Sequence, residues 1–261
     1  YSAVIDGILG DTVTCLLRVE QDIYYGCTNG VAKFFEQFPT VEPNLTDNLA
    51  GITVNDIAYD PATDLLWIAA EDGVASFNRA TFAFAWYPIG RSRSICVHQG
   101  ETYCVTAEGV RAFDGGAWPV FGSGLHMEPV GVASGGGELW CITPERAYLW
   151  TSGLWVHQET GALKTLLRSE YRIGWSTNVL ATLGVDGDGV PWVGGIFSES
   201  RRGVYLWSFS GGQWHNAAPA GLPQNEIVAL DADASGNLWV STGQFGIAYR
   251  MAGSGRWIAY T

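Results

Sequence analysis

Apolar residues come in short runs broken by Gly, Asp, Asn and Ser. Examples are LLWIAA from Leu65, TYCVT from Thr102, LWCIT from Leu139, IVAL from Ile227 and LWVST from Leu238. Runs this short, rich in β-branched and aromatic residues and bounded by turn formers, predict strands. One stretch keeps a helical period instead. In ALKTLLRSEYR, from Ala162 to Arg172, Leu163, Leu166 and Leu167 fall at i, i+3 and i+4 and make a single apolar face. The pattern predicts an all-β chain with one short helical insertion.

The strands belong to a unit that recurs six times. An aromatic opens a short strand at Tyr25, Trp67, Tyr103, Trp140, Trp192 and Trp239, with spacings of 42, 36, 37, 52 and 47 residues. Next comes Gly before a β-branched residue: Gly30-Val31, Gly73-Val74, Gly109-Val110, Gly203-Val204 and Gly246-Ile247, with Arg146-Ala147 standing there in the fourth unit. A tight turn then leads to a second aromatic: Trp118, Trp155, Trp214 and Trp257, with Trp86 in the second unit and Phe38 in the first. Each unit reads as four strands, a to d. Four antiparallel strands repeating every ~40–50 residues predict propeller blades, because one such sheet cannot bury both faces alone. The expectation is a single domain over 1–261, a six-bladed β-propeller. Its blades lie at about 11–45, 52–90, 93–122, 128–160, 177–218 and 225–261, with the helix between blades 4 and 5. The opening Tyr1 to Leu9 either adds a fifth strand or caps the ring.

Composition supports strands over helices: Gly 34 and Pro 10 are too many turn formers for a bundle. Hydrophobic residues at 47% against charged ones at 15% exclude intrinsic disorder. Lys+Arg 14 against Asp+Glu 26 gives net charge −12, and Lys33 and Lys164 are the only lysines, which argues against a nucleic-acid footprint. No apolar run approaches the ~20 residues of a membrane helix, and no signal peptide is present, although the chain starts at Tyr1 without Met.

The wording of the units resembles the two-component regulator propeller repeats, with Gly-Leu-Pro, Asn-x-Val and an Asp-x-x-Gly-Asn-Leu-Trp-Ile-Gly-Thr run. GLPQNEIVALDADASGNLWVSTGQFGI, from Gly221 to Ile247, matches best, and NVLATLGVDGDGVPWVGG, from Asn178, matches moderately. The resemblance implies a propeller used to sense or bind. Such repeats usually stand in long arrays ahead of signalling domains, and no such domain is attached here.

Few residues point to chemistry. The turns DGDG (Asp186 to Gly189) and DADASGN (Asp231 to Asn237) have the alternating acids of a calcium loop, yet neither is followed by the acid at the twelfth loop position of an EF-hand. They read as hairpin turns. His98, His126, His157 and His215 have no ligand spacing, and no serine-nucleophile elbow occurs. Cys15 and Cys27 lie symmetrically about residue 21, and Cys96 and Cys104 about Gly100, so two cross-strand disulfides are one reading. Cys141 aligns with Cys104 without a partner, and this favours buried thiols. The second tryptophans read as inter-blade packing rather than as sugar-stacking platforms, because they repeat in nearly every blade. Asn44-Leu45-Thr46 is a lone glycosylation sequon.

Binding residues are expected where the loops entering strand a converge: Asp11, Asn55, Arg93, Glu128, Asn178 and Asn225. The helical insertion adds Leu166 and Leu167. No catalytic residue, metal ligand or cofactor is assigned. The leading expectation is a non-catalytic scaffold for recognition or assembly, with a protein partner or a glycan. Sparse charge suits an extracellular, cell-surface or virion-attached setting. Two alternatives stay open. One is a channel-mouth hydrolase or lyase with a central calcium held by Glu128, Asn178, Asn225 and Asp11 or Asp56, in the manner of six-bladed sugar-lactone hydrolases. The other is a structural subunit of a homo-oligomeric assembly.

Overall fold

The computed structural model describes residues 12–35, 38–40, 42–158, 179–196, 206–217, 227–233, 235–242 and 246–260. The chain is a six-bladed β-propeller built from six antiparallel sheets. Chain contacts divide it into two compact units, Tyr1–Phe121 and Gly122–Thr261, each holding three blades.

In the first unit, blade 1 comprises β1 (Val13–Val19), β2 (Asp22–Cys27), β3 (Gly30–Phe35) and β4 (Phe38–Thr40). Blade 2 comprises β5 (Val54–Asp60), β6 (Leu65–Ala70), β7 (Gly73–Asn78) and β8 (Phe84–Tyr87). Blade 3 keeps three strands, β9 (Ser92–His98), β10 (Glu101–Thr106) and β11 (Gly109–Ala112). The expected fourth strand of that blade shrinks to one bridge, Arg111 to Val120. The cause is local: Asp114 closes a turn on Ala117, and Pro119 follows, which has no N–H to give to a ladder. Strands β1, β5 and β9 lie side by side at the inner edge of the unit.

A short helix, α1 (Pro43–Thr46), and a 3-10 turn over Asp47–Leu49 join blades 1 and 2. Pro43 suits the first helical turn, and Leu45 and Leu49 are fully buried beneath it. The described helix thus lies in another connection from the one expected between blades 4 and 5, and Ala162 to Arg172 lies outside the described residues. Asn44 of the sequon donates its amide to the Phe82 carbonyl (3.1 Å).

The second unit holds blade 4, with β12 (Gly131–Gly135), β13 (Glu138–Thr143), β14 (Arg146–Thr151) and β15 (Leu154–His157). Blade 5 has β16 (Val179–Val185), β17 (Pro191–Ile196), β18 (Leu206–Ser210) and β19 (Gln213–Asn216). Blade 6 has β20 (Ile227–Ala232), β21 (Leu238–Thr242), β22 (Gly246–Arg250) and β23 (Trp257–Tyr260).

Packing explains both aromatic positions of the repeat. The strand-b Trp of one blade meets the strand-d Trp of the next: Trp67 with Trp118, Trp140 with Trp214 and Trp192 with Trp257, all near edge-to-face at 5.5–6.2 Å. Burying each ring stabilises by roughly 2–3 kcal/mol, with about 1 kcal/mol more from the aromatic pairing. Blades 1 and 2 are also locked by Arg79, which reaches Asp64 (3.0 Å), the Tyr24 hydroxyl (3.1 Å) and Asp22 (3.4 Å). Gly73 opens β7 for a steric reason. A Cβ there would sit 2.3 Å from the Tyr87 carbonyl oxygen.

The cysteine pairs do not face each other. The β9–β10 turn has two residues, Gln99 and Gly100, both left-handed, so Glu101 opposes His98. Cys96 then opposes Tyr103 and Cys104 opposes Ile95, on opposite faces. Cys15 likewise opposes Gly26, and Cys27 opposes Val13. None of the five cysteines is joined in a disulfide. Burial pushes Cys15 and Cys104 up to about 12 and raises Cys141 further, so these stay protonated at neutral pH and are poor nucleophiles.

Candidate functional site

The site begins from one backbone irregularity. Strand a of five blades carries a β-bulge at the same register, between Val13 and Cys15, Val54 and Asp56, Ser92 and Ser94, Leu180 and Thr182, and Ile227 and Ala229. A bulge leaves one residue unpaired and re-aims its side chain. The bulged residues are Thr14, Asn55 and Arg93 in the first unit, and Ala181 and Val228 in the second. Two of the expected binding residues, Asn55 and Arg93, therefore occupy one repeat position. Asp11, Asn178 and Asn225 stand three residues ahead of it in the sequence and lie outside the described residues, as do Leu166 and Leu167. Glu128 is exposed in the segment ahead of β12.

At the bulges, polar side chains join neighbouring blades. Thr14 Oγ1 donates to the Val54 carbonyl (2.5 Å), and Asn55 Nδ2 donates to the Ser92 carbonyl (2.8 Å), each reaching the residue before the next bulge. The position after the bulge supplies an acceptor. Asp56 Oδ2 takes the Ile95 N–H (2.9 Å), and Thr182 Oγ1 takes the Leu230 N–H (3.1 Å). Asp56 Oδ1 takes the Ile57 N–H as well (2.9 Å). Each bond contributes about 1 kcal/mol net, and its loss would strand a main-chain group at a blade junction. Thr14 and Thr182 were missed in the sequence reading. Aligning the repeats on the bulge would have found them, because Thr14 falls at the position of Asn55 and Thr182 at that of Asp56.

The acidic turns are equally committed. Asp186 Oδ1 accepts the N–H groups of Asp188 (3.1 Å) and Val190 (2.9 Å), while Oδ2 accepts Trp192 Nε1 (2.9 Å) and Arg250 Nη1 (3.0 Å). Asp233 accepts Ser235 N, Asn237 N, Asn237 Nδ2 and Trp239 Nε1 at 2.8–3.0 Å. Oxygens ringed by N–H donors hold the hairpins closed. Among the described residues, no three His, Cys, Asp or Glu side chains cluster as a metal site. His98 is half-buried edge-on to Tyr103, and burial lowers its pKa. Trp118, Trp155 and Trp214 are buried, as packing requires, and sugar stacking on them is closed off.

The first unit also carries a surface cleft of about 390 Å³ between β8 and the Asp114–Pro119 turn. Tyr87, Ile89, Ala117, Trp118 and Pro119 are its apolar lining. Its charged groups are Arg111 and Asp114. Arg111 is spent on Thr106, Glu108 and the Trp118 carbonyl, and Asp114 Oδ1 caps the turn through Gly116 N and Ala117 N.

The described residues contain no helix long and apolar enough to cross a membrane. A family model described as "two component regulator propeller" matches residues 221–244. No curated protein matches the chain in sequence. Solved structures match throughout its length. Virginiamycin B lyase from Staphylococcus aureus is 12% identical, with TM-score 0.67 over 95% of this chain and 83% of that one. A streptogramin B lyase is 12% identical, with TM-score 0.69 over 97% and 84%. The RRP9 WD40 repeats are 10% identical, with TM-score 0.67 over 96% and 80%. At such identities the likeness is one of fold. The chain is thus a six-bladed β-propeller that matches the two component regulator propeller model at residues 221–244.

Proposed function

We propose that the chain is a non-catalytic propeller scaffold that recognises a partner, with a protein ahead of a glycan. The observation that supports this is the use made of its inner-edge polar groups. Thr14, Asn55, Asp56 and Thr182 are the residue types an enzyme would aim at a substrate, and here they bond the main chain of the next blade. Rigid blades leave recognition to the connections, so the proposed partner-facing positions are Asp11, Arg93, Glu128, Asn178, Asn225, Leu166 and Leu167. Sparse charge suits an extracellular, cell-surface or virion-attached location. The lyases of the same fold act on their own substrates and lend no residue to this chain at 12% identity.

The test is a thermal melt followed by tryptophan fluorescence, with excess calcium and then with chelator. A scaffold without a central metal shows no shift. Stabilisation by several degrees in calcium would overturn the reading in favour of the metal-dependent hydrolase or lyase, because a ligand specific to the folded state raises stability by mass action.

A further inference from the structure

Among the described residues an Asn or Asp precedes Gly five times, at Asn29, Asp72, Asp114, Asp186 and Asp188. Such a pair is open to internal attack, because glycine has no Cβ to keep its nitrogen away from the side-chain carbonyl carbon before it. Four of the five are held against it. Gly30 and Gly73 are buried and pair in ladders, opposite Cys27 and Ala70. Gly187 N donates to the Gly236 carbonyl (2.9 Å) and Gly189 N to the Asp186 carbonyl (2.9 Å). A nitrogen held in a packed hairpin cannot swing toward the carbon it would attack.

Asp114-Gly115 differs on each count. It lies in the turn that replaces strand d of blade 3, both residues are exposed, and nothing stands within 4 Å of where a Gly115 Cβ would be. Among the described residues the Gly115 N–H enters no hydrogen bond. Asp114 Oδ1, in contrast, accepts Gly116 N (3.2 Å) and Ala117 N (2.7 Å). An oxygen bonded two and three residues ahead folds the carboxyl back over the intervening peptide, the one that carries Gly115 N. The turn combines an uncommitted nucleophile with a carbonyl carbon whose oxygen already has two donors.

We propose that Asp114-Gly115 is a self-modification site that converts, by way of a succinimide, to isoaspartate. Gly115 N bonds to Asp114 Cγ and passes its proton to water. The charge that develops on Oδ1 meets the Gly116 and Ala117 N–H groups, as in an oxyanion hole. One such donor is worth about 10²–10³ in rate inside a preorganised enzyme site, and an exposed turn retains part of that. The second carboxyl oxygen, protonated, leaves as water. Water then reopens the ring at Cγ, which restores aspartate, or at the main-chain carbonyl carbon, which breaks the bond from that carbon to Gly115 N and leaves isoaspartate. The water lost is regained, so the change is an isomerisation that needs no other reactant. Its product matters to the fold. Isoaspartate adds one carbon to the main chain and lengthens the loop closed by Asp114 N on the Ala117 carbonyl (3.1 Å). Trp118, next in the chain, is edge-on to Trp67 at 5.5 Å, so ageing at this turn loosens the contact between blades 2 and 3. The inference stands apart from the proposed recognition of a partner and does not depend on it.

Ageing the full chain for weeks at neutral pH, native or in guanidinium chloride, tests it, with peptide mapping and isoaspartate-specific enzymatic methylation as readouts. In the unfolded chain all five pairs should convert, as local sequence alone dictates. In the native protein the other four should slow at least about tenfold, while Asp114 converts no more slowly than when unfolded. Asp114→Glu keeps the carboxylate but would have to close a six-membered ring, and it should stay unmodified. The isoaspartyl fraction, separated by chromatography, should melt below fresh protein. The proposal fails if native Asp114 slows with the other four or stays unmodified, since the turn would then protect it. An isoaspartyl fraction that melts like fresh protein overturns the link to blade packing.

Discussion

Removal of the Asp186 carboxylate should be among the most damaging single changes in the second unit. Its side chain is 1% exposed and accepts four hydrogen bonds, from two turn N–H groups, the Trp192 indole and Arg250. Asp186→Ala breaks an ion pair whose cation is mostly buried, an effect of roughly 3–5 kcal/mol. The two main-chain donors and the indole then lack an acceptor, at about 1–3 kcal/mol each where water cannot reach. One relief exists: Arg250 also lies 3.5 Å from the more exposed Asp188 and over the Trp192 ring at 5.4 Å. Balancing these, about 4 kcal/mol is expected, a large part of the total stability of an ordinary domain. Urea unfolding followed by tryptophan fluorescence measures it. Arg250→Met should cost less alone, and the double variant should be more stable than the sum of the single losses by about 2 kcal/mol. Strict additivity, or a loss below about 1 kcal/mol for Asp186→Ala, would refute the idea that this carboxylate organises blades 5 and 6.

Further outcomes follow from the same physics. Burial pushes the Asp233 carboxyl up, but hydrogen bonds from Trp239, Asn237 and Ser235 outweigh it and hold the group below the ordinary range. With the folded value depressed, its stabilisation is present above the unfolded value near ~3.9 and is lost as pH falls through the folded one. Melting temperature between about pH 5 and pH 2 should fall more steeply in wild type than in Asp233→Asn. Cys15, Cys104 and Cys141 should resist a maleimide at neutral pH in the native state and react once denatured, as counted by mass spectrometry. Gly73→Ala should lower stability by about 2 kcal/mol or more, because the new methyl meets the Tyr87 carbonyl. An unchanged chemical denaturation midpoint would contradict that geometry.

The blade count was legible because its signals are local and repeated. Tyr25, Trp67 and Trp140 stand inside strand b, Gly73 and Gly109 begin strand c, and these marks recur from blade to blade. Register was not legible. Cys96 and Cys104 look symmetric about Gly100, but pairing is set by the turn, and a two-residue turn moves every partner by one. The bulges were hidden for a related reason: an extra residue in strand a changes no composition. The expected binding set accordingly mixed two repeat positions, with Asn55 and Arg93 at the bulge and Asp11, Asn178 and Asn225 ahead of it. The helix at Pro43 had a start signal in its proline, yet a single turn carries no period to detect. Blade 3 looked complete because Trp118 stands in its usual place, although Pro119 denies it a strand.

The acidic balance of the chain has an internal use. In every blade an acid near the a–b hairpin accepts a hydrogen bond from an aromatic of that hairpin. The pairs are Tyr24 with Asp22, Tyr59 with Asp64, Tyr103 with Glu101, Trp140 with Glu138, Trp192 with Asp186 and Trp239 with Asp233. These carboxylates fix the polar ends of rings whose bodies pack between sheets, so part of the net charge belongs to the scaffold and not to a field that steers a partner. What repeats six times cannot confer specificity for one partner. Specificity must arise where the blades differ, and the described residues place one such difference at blade 3, where the fourth strand is lost and the cleft beneath Tyr87 opens.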